Sequence, residues 1–169
     1  LRPLAGLRRG AGARRPDEIY EAISAAIRAV ADRLGATPLY IPFAEEDVKL
    51  CRRLMVERGI LLGLLSPGQI VTVLSKCEFT LGMRLHSAVF SSVAGTPAVM
   101  IAYDPKVAAF ARHAYHPAPL EPDSDAFNMR AIVGAIGSRY ANMNPARQTL
   151  AARTAELIKN TKADAIIAD

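Results

Sequence analysis

Two stretches decide the reading of this chain: Glu78-Phe79-Thr80-Leu81-Gly82-Met83-Arg84-Leu85-His86-Ser87 and Ala98-Val99-Met100-Ile101-Ala102-Tyr103-Asp104-Pro105-Lys106-Val107. Each opens on a short run that reads as a strand and then changes to helical spacing. Residues 78–81 predict a strand, and residues 85–94 a helix stopped by Gly95. Residues 98–102 predict a buried strand, and Asp104-Pro105 caps a helix through about His113. Strand, helix, strand and helix in this order make parallel crossovers, whose strands all end at one edge of the sheet. Arg84, His86 and Lys106 therefore gather at one edge. Two permanent cations and one imidazole stand where open α/β sheets bind ligands. The group suits a small, multiply charged anion.

The alternation continues toward both ends. Residues 1–3 read as the tail of a strand. Asp17 is placed to cap a helix through about Leu34, with Ile19, Ile23, Ala26, Ile27, Val30 and Leu34 on one face and Gly35 at its end. Residues 38–43 predict a short strand. Glu45, Glu46 and Asp47 then put negative charge on the first turn of a helix, where the macrodipole favours it. Val48, Cys51, Leu54 and Met55 form that helix's apolar stripe, and Gly59 stops it. Residues 60–65 are a continuous apolar run, the pattern of a strand covered on both faces. Ser66-Pro67-Gly68-Gln69 is a capping box with proline at the first helical position, opening a helix to about Lys76. After a loop with Pro117, Pro119 and Pro122, helices are predicted over about 125–140 and 146–164. The fold class is α/β: a parallel sheet with helices on both faces. The 169 residues read as one domain, with a tail from Asn144 placed to brace a neighbouring domain.

Composition narrows the function. The net charge of +5 is local, because Arg2, Arg8, Arg9, Arg14 and Arg15 precede the first acid. Without these five, the 21 basic residues come into balance with the 16 acidic ones. This segment reads as a solvated Gly/Ala/Arg loop, or as an arm that touches an anionic acceptor or a lipid-phosphate surface. No aromatic residue interleaves with the arginines, which argues against nucleic-acid binding. Cys51 and Cys77 read as buried free thiols of a reducing compartment, not as a disulfide framework. No apolar run approaches the ~18 residues of a membrane span.

The chemistry-bearing residues are few. Gly82 permits a tight backbone before a helix start, whose free N–H groups favour an anion. Arg84 adds a bidentate clamp for a carboxylate or phosphate, although taken alone it also fits a surface salt bridge. His86, taken alone, also fits a structural histidine. Asp104 reads as a helix cap. Lys106 is a cation at a helix N-terminus, where its charge is disfavoured unless an anion sits nearby. His113 and His116 flank Tyr115 without the further ligands a metal would need. No Walker A motif, Gly-x-Gly-x-x-Gly motif or nucleophile elbow occurs.

The string Gly82-Met83-Arg84-Leu85-His86-Ser87, in its alternating α/β context and followed by Ala102-Tyr103-Asp104-Pro105-Lys106-Val107, resembles the polysaccharide pyruvyl transferase family. Leu1-Arg2-Pro3 is similar to that family's Arg-Pro-Trp segment, with Leu4 in place of the tryptophan. The resemblance implies a Rossmann-like C-terminal half of a GT-B-like two-domain fold. It also implies transfer of pyruvate as a ketal from phosphoenolpyruvate to a sugar of a cell-surface polysaccharide or its lipid-linked precursor. His86 would be the catalytic residue, and Arg84, Leu85, Lys106, Gly82 and Tyr103 would bind substrate. The partners implied are phosphoenolpyruvate, a sugar acceptor and an N-terminal domain of the same enzyme, with no metal and no separate cofactor. The enzyme would be cytoplasmic, at the inner face of the membrane.

The residue types suit that chemistry. Phosphoenolpyruvate carries a carboxylate and a phosphate, which Arg84, Lys106 and a helix N-terminus can neutralise. Ketal formation needs a proton at the methylene carbon and attack of sugar hydroxyls at C2 with loss of phosphate. Histidine, with a reference pKa near neutrality, serves as acid or as base in such steps. Two other classes fit the same edge: a GT-B-like glycosyltransferase with a nucleotide-sugar donor, and a non-catalytic glycan-binding module.

Overall fold

The protein is described here as a computed structural model covering residues 15–114, 116 and 118–167. The strand tail read at residues 1–3 and the arginines at positions 2, 8, 9 and 14 lie outside the described residues. The elements run α1 (Pro16–Leu34), β1 (Leu39–Tyr40), α2 (Glu45–Leu54), β2 (Ile60–Leu61), α3 (Pro67–Leu74), β3 (Thr80–Gly82), α4 (Leu85–Ala94), β4 (Ala98–Met100), α5 (Pro105–His113), α6 (Met129–Ala141) and α7 (Met143–Ile167).

Local chemistry explains most boundaries. Pro16 takes the first helical position of α1, so Arg15, and not Asp17, occupies the cap position. Asp17 sits in the first turn and pairs with Arg53 at 2.5 Å. Ile19, Ile23, Ala26 and Val30 are buried along one face, and Gly35 closes the helix at φ 62°. Each buried isoleucine of this kind stabilises the fold by ~1.5–3 kcal/mol. The Ser66 side chain accepts from Gln69 N and the Gln69 side chain from Ser66 N, the expected capping box. Helix α4 has the predicted bounds and ends on Gly95 at φ 68°. Helix α6 starts later than predicted because Asn128 caps it, accepting from Ala131 N at 2.9 Å. Helix α7 starts earlier, at Met143, so that Pro145 falls in its first turn, where a missing N–H costs nothing.

β1 pairs with β2 and β3 with β4, both parallel, with Leu39 opposite Ile60 and Leu81 opposite Val99. The sequence predicts one sheet; the strands instead form two ribbons without hydrogen bonds between them. The parallel register turns the backbone groups of Leu39 and Leu81 away from their paired strands, toward the gap. A cavity of about 460 Å³ lies there, walled by Ile23, Ile27, Leu39, Ile41, Leu81 and Ile136 among others. A further parallel bridge joins Ile101 to Leu120, a contact absent from the sequence reading.

The residues of β4 and its extension alternate between two cores. Val99 and Ile101 enter a core with Ile19, Ile23 and Val30 of α1 and Ile132 and Ile136 of α6. Ala98 and Met100 face Ala88 of α4 and Val107 and Ala111 of α5. Helices thus cover both faces of β4. Residues 60–65, read as a strand covered on both faces, depart from that reading. Only Ile60–Leu61 pair, and Ile60 and Leu64 are 49% and 52% exposed. Among the described residues β2 pairs only with β1, so no strand pairs with its other edge. Met55, assigned to the apolar stripe of α2, is 42% exposed because it already lies past the helix end.

The first half of α7 packs on the same unit. Ala146 and Leu150 are buried, and Thr154 Oγ1 donates to Ser92 O at 3.1 Å. Arg147 Nη2 donates to Cys77 O at 2.9 Å and to Glu78 O at 3.3 Å, so the helix is tied to the segment entering β3.

Candidate functional site

β3 and β4 are paired in parallel, so α4 and α5 begin at the same edge of their ribbon. That placement follows from the chain order alone, and it brings Arg84 and His86 to the start of α4 and Lys106 to the start of α5. The two helix starts differ. Asp104 caps α5, its Oδ1 accepting from Lys106 N at 2.8 Å. Arg84 occupies the cap position of α4 and offers no acceptor, so no side chain caps that helix. Ser87 N donates to Arg84 O at 3.0 Å, which leaves the N–H groups of Leu85 and His86 and the dipole to favour an anion.

Gly82 is buried at the end of β3, and a Cβ there would lie 2.2 Å from Ser87 Oγ. Ser87 Oγ donates to Arg84 O at 2.5 Å, so glycine lets the first turn of α4 fold back onto the strand. Arg84 is partly buried, with its side chain 24% exposed. Its Nε and Nη2 donate to Asp47 Oδ1 at 3.1 and 2.7 Å, and Nη2 also reaches Glu46 Oε1 at 3.1 Å. The guanidinium is thus paired within the chain through Nε and both hydrogens of Nη2. His86 is exposed, and its ring stacks on Phe90, with centroids 6.4 Å apart. Phe90 stacks in turn on Phe43 at 5.9 Å. Phe43 precedes α2 and Asp47 lies in its first turn, so the start of α2 meets α4 through both an ion pair and an aromatic stack.

The other residues singled out in the sequence have different surroundings. Leu85 packs against the smaller core between α4 and α5. Tyr103 packs against the larger core. The Lys106 side chain is exposed. The cavity between the ribbons is bordered by Gly82, Arg84, Ser87 and Asp47, while His86, Leu85, Tyr103 and Lys106 do not line it. That cavity is mainly the apolar gap between the ribbons, and the polar groups stand at its border.

The buried roles of two residues escaped the sequence reading. Asp47 is buried, and its Oδ2 accepts from Phe43 N at 3.1 Å and Ala44 N at 3.2 Å. Burial pushes its carboxyl up from the ordinary value, and those two N–H donors pull it back. A signal existed: Asp47, Cys51 and Leu54 share one helical face, so the third acid of the first turn belongs to the inward stripe. His116 is also buried. Its Nε2 lies 3.0 Å from Ser92 Oγ, which donates to Ala88 O, and its Nδ1 has no partner among the described residues. Burial first, then the charge of Arg139, lowers its pKa to about 4. Cys51 and Cys77 are free and half-buried, and burial raises both thiols.

The family model described as polysaccharide pyruvyl transferase matches residues 6–105, more than half of the chain. No curated protein and no solved structure matches it.

Proposed function

The chain belongs to the polysaccharide pyruvyl transferase family, and from that premise we propose that it uses phosphoenolpyruvate to place a pyruvate ketal on a sugar. The acceptor is a cell-surface polysaccharide or its lipid-linked precursor. In this reading Arg84, Lys106 and the uncapped start of α4 hold the donor's carboxylate and phosphate. Gly82 allows the close backbone approach, and Leu85 and Tyr103 shape the site from the two cores. His86 moves the proton. No metal and no separate cofactor takes part. The fold serves as the C-terminal Rossmann-like half of a GT-B-like two-domain enzyme, and the other half receives the acceptor. The enzyme works in the cytoplasm at the inner face of the membrane. Among the described residues no helix is long and apolar enough to cross it.

One observation supports this reading above the rest. Helix α4 begins without a side-chain cap, with Arg84 at the cap position and His86 in the first turn. An anion seated there meets N–H donors, a guanidinium and a titratable ring together.

Arg84→Lys tests it. The substitution keeps the charge but removes the planar fork. Hydrogen bonds to charged groups are worth ~1.5–3 kcal/mol each, so the expected loss in kcat/KM for phosphoenolpyruvate is roughly 10- to 150-fold. Steady-state transfer assays check it. Wild-type kcat/KM in the lysine variant would remove Arg84 from the donor site.

A further inference from the structure

We infer that Asp47 is a positioning residue for Arg84, holding the Nε–Nη2 edge of the guanidinium so that Nη1 is presented to the anionic donor. The inference rests on the donor-site reading above.

A guanidinium offers two edges for bidentate pairing, Nε with Nη2 and Nη2 with Nη1. Asp47 Oδ1 takes the first, at 3.1 and 2.7 Å. The other hydrogen of Nη2 goes to Glu46 Oε1 at 3.1 Å, so Nη1 is the guanidinium nitrogen without a partner among the described residues, and the Arg84 side chain keeps 24% exposure. The carboxylate itself is anchored. Its Oδ2 is held by Phe43 N and Ala44 N, and its side chain is only 4% exposed. A group fixed by two backbone donors in the first turn of α2 does not swing aside for a ligand. It acts as part of the wall, and it links the β1–α2 connection to the β3–α4 connection across the gap between the ribbons. Glu46 differs, since its side chain is 59% exposed and adds a screened contact from the solvent side.

Two consequences distinguish positioning from competition. If Asp47 only competed with the donor for Arg84, neutralising it would tighten donor binding. If it positions Arg84, neutralising it frees a long side chain that the donor must then order. The rotamer entropy of such a side chain corresponds to a roughly ten- to thirty-fold loss of affinity. Asp47→Asn separates this role from helix capping. The amide oxygen still accepts from Phe43 N and Ala44 N, while the amide nitrogen offers Arg84 only a donor.

The experiment titrates wild type and Asp47→Asn with phosphoenolpyruvate, and separately with uridine diphosphate, by calorimetry. It also follows the Arg84 Nε–Hε resonance by NMR. In wild type that proton is expected to exchange slowly, an observation needing no substitution. In Asp47→Asn it should join the solvent-averaged arginine signals while phosphoenolpyruvate affinity falls roughly ten- to thirty-fold. Unchanged or tighter binding would overturn the inference, as would an Arg84 signal that exchanges freely in wild type or is unchanged in the variant. Binding and weakening seen with uridine diphosphate alone would keep Asp47 as a positioning residue and overturn the pyruvyl-donor reading. Wild type that binds neither probe would overturn both.

Discussion

Replacing His86 with alanine is expected to lower kcat for pyruvyl transfer by about 10²–10⁴-fold, the usual contribution of a positioned acid or base. Donor affinity should change far less, because the proposed clamp on the anion is Arg84, Lys106 and the start of α4. The geometry gives His86 its freedom to act. The ring is exposed in the first turn of α4 and braced on one face by Phe90, which is braced by Phe43. A ring so placed stands at the edge where the donor would sit. The proposed reaction moves one proton onto the methylene carbon, turning it into the methyl group, and leaves C2 electron-poor. One sugar hydroxyl adds there, phosphate departs, and a second hydroxyl closes the ketal as each oxygen gives up its proton. Pre-steady-state and steady-state assays with phosphoenolpyruvate separate binding from turnover. Wild-type kcat in His86→Ala would take the histidine out of the chemistry.

The second large effect concerns stability and lies away from the site. His116 is buried with a pKa lowered to about 4 from an ordinary 6.5, first by burial and then by Arg139. The neutral ring fits its surroundings. Ser92 Oγ, which donates to Ala88 O, can accept from Nε2–H of the neutral tautomer that leaves Nδ1 unprotonated. Between pH 6.5 and 4 the unfolded chain takes up a proton that the folded chain refuses. Stability therefore falls as pH falls through that window, by ~3 kcal/mol once it is crossed. Urea unfolding at pH 7 and at pH 4.5 measures the slope. His116→Gln should flatten it, because glutamine can still donate to Ser92 and has no proton to gain. Equal pH dependence in wild type and variant would contradict the buried neutral histidine.

Much of the layout of this edge was legible because it rests on local rules. Gly95 stops α4 where a left-handed residue is needed, and Asp104 and Ser66 cap their helices with their own side chains. The order of strands and helices placed Arg84, His86 and Lys106 at one edge without any long-range information. What stayed hidden depends on partners far away in sequence. Asp47 looks like one of three acids serving a helix dipole until Arg84, 37 residues on, meets it. His116 looks like a loop residue until Ser92 shows the pocket it fills. The split of the sheet into two ribbons was also unreadable, since a run such as residues 60–65 has the same composition at a bare edge as in a covered centre. The Arg84 ion pair sharpens the local electrostatics as well. The edge is less cationic than its sequence suggests, because two carboxylates partner one of its cations.

The central claim is that the starts of α4 and α5 form a donor site for phosphoenolpyruvate. Backbone amide NMR tests it most directly, by titrating the chain with phosphoenolpyruvate and, in a parallel sample, with uridine diphosphate. The account predicts shifts centred on Gly82, Arg84, Leu85, His86, Tyr103 and Lys106 with phosphoenolpyruvate and none with the nucleotide. Shifts at these residues with uridine diphosphate alone would contradict it and move the chain toward nucleotide-sugar chemistry.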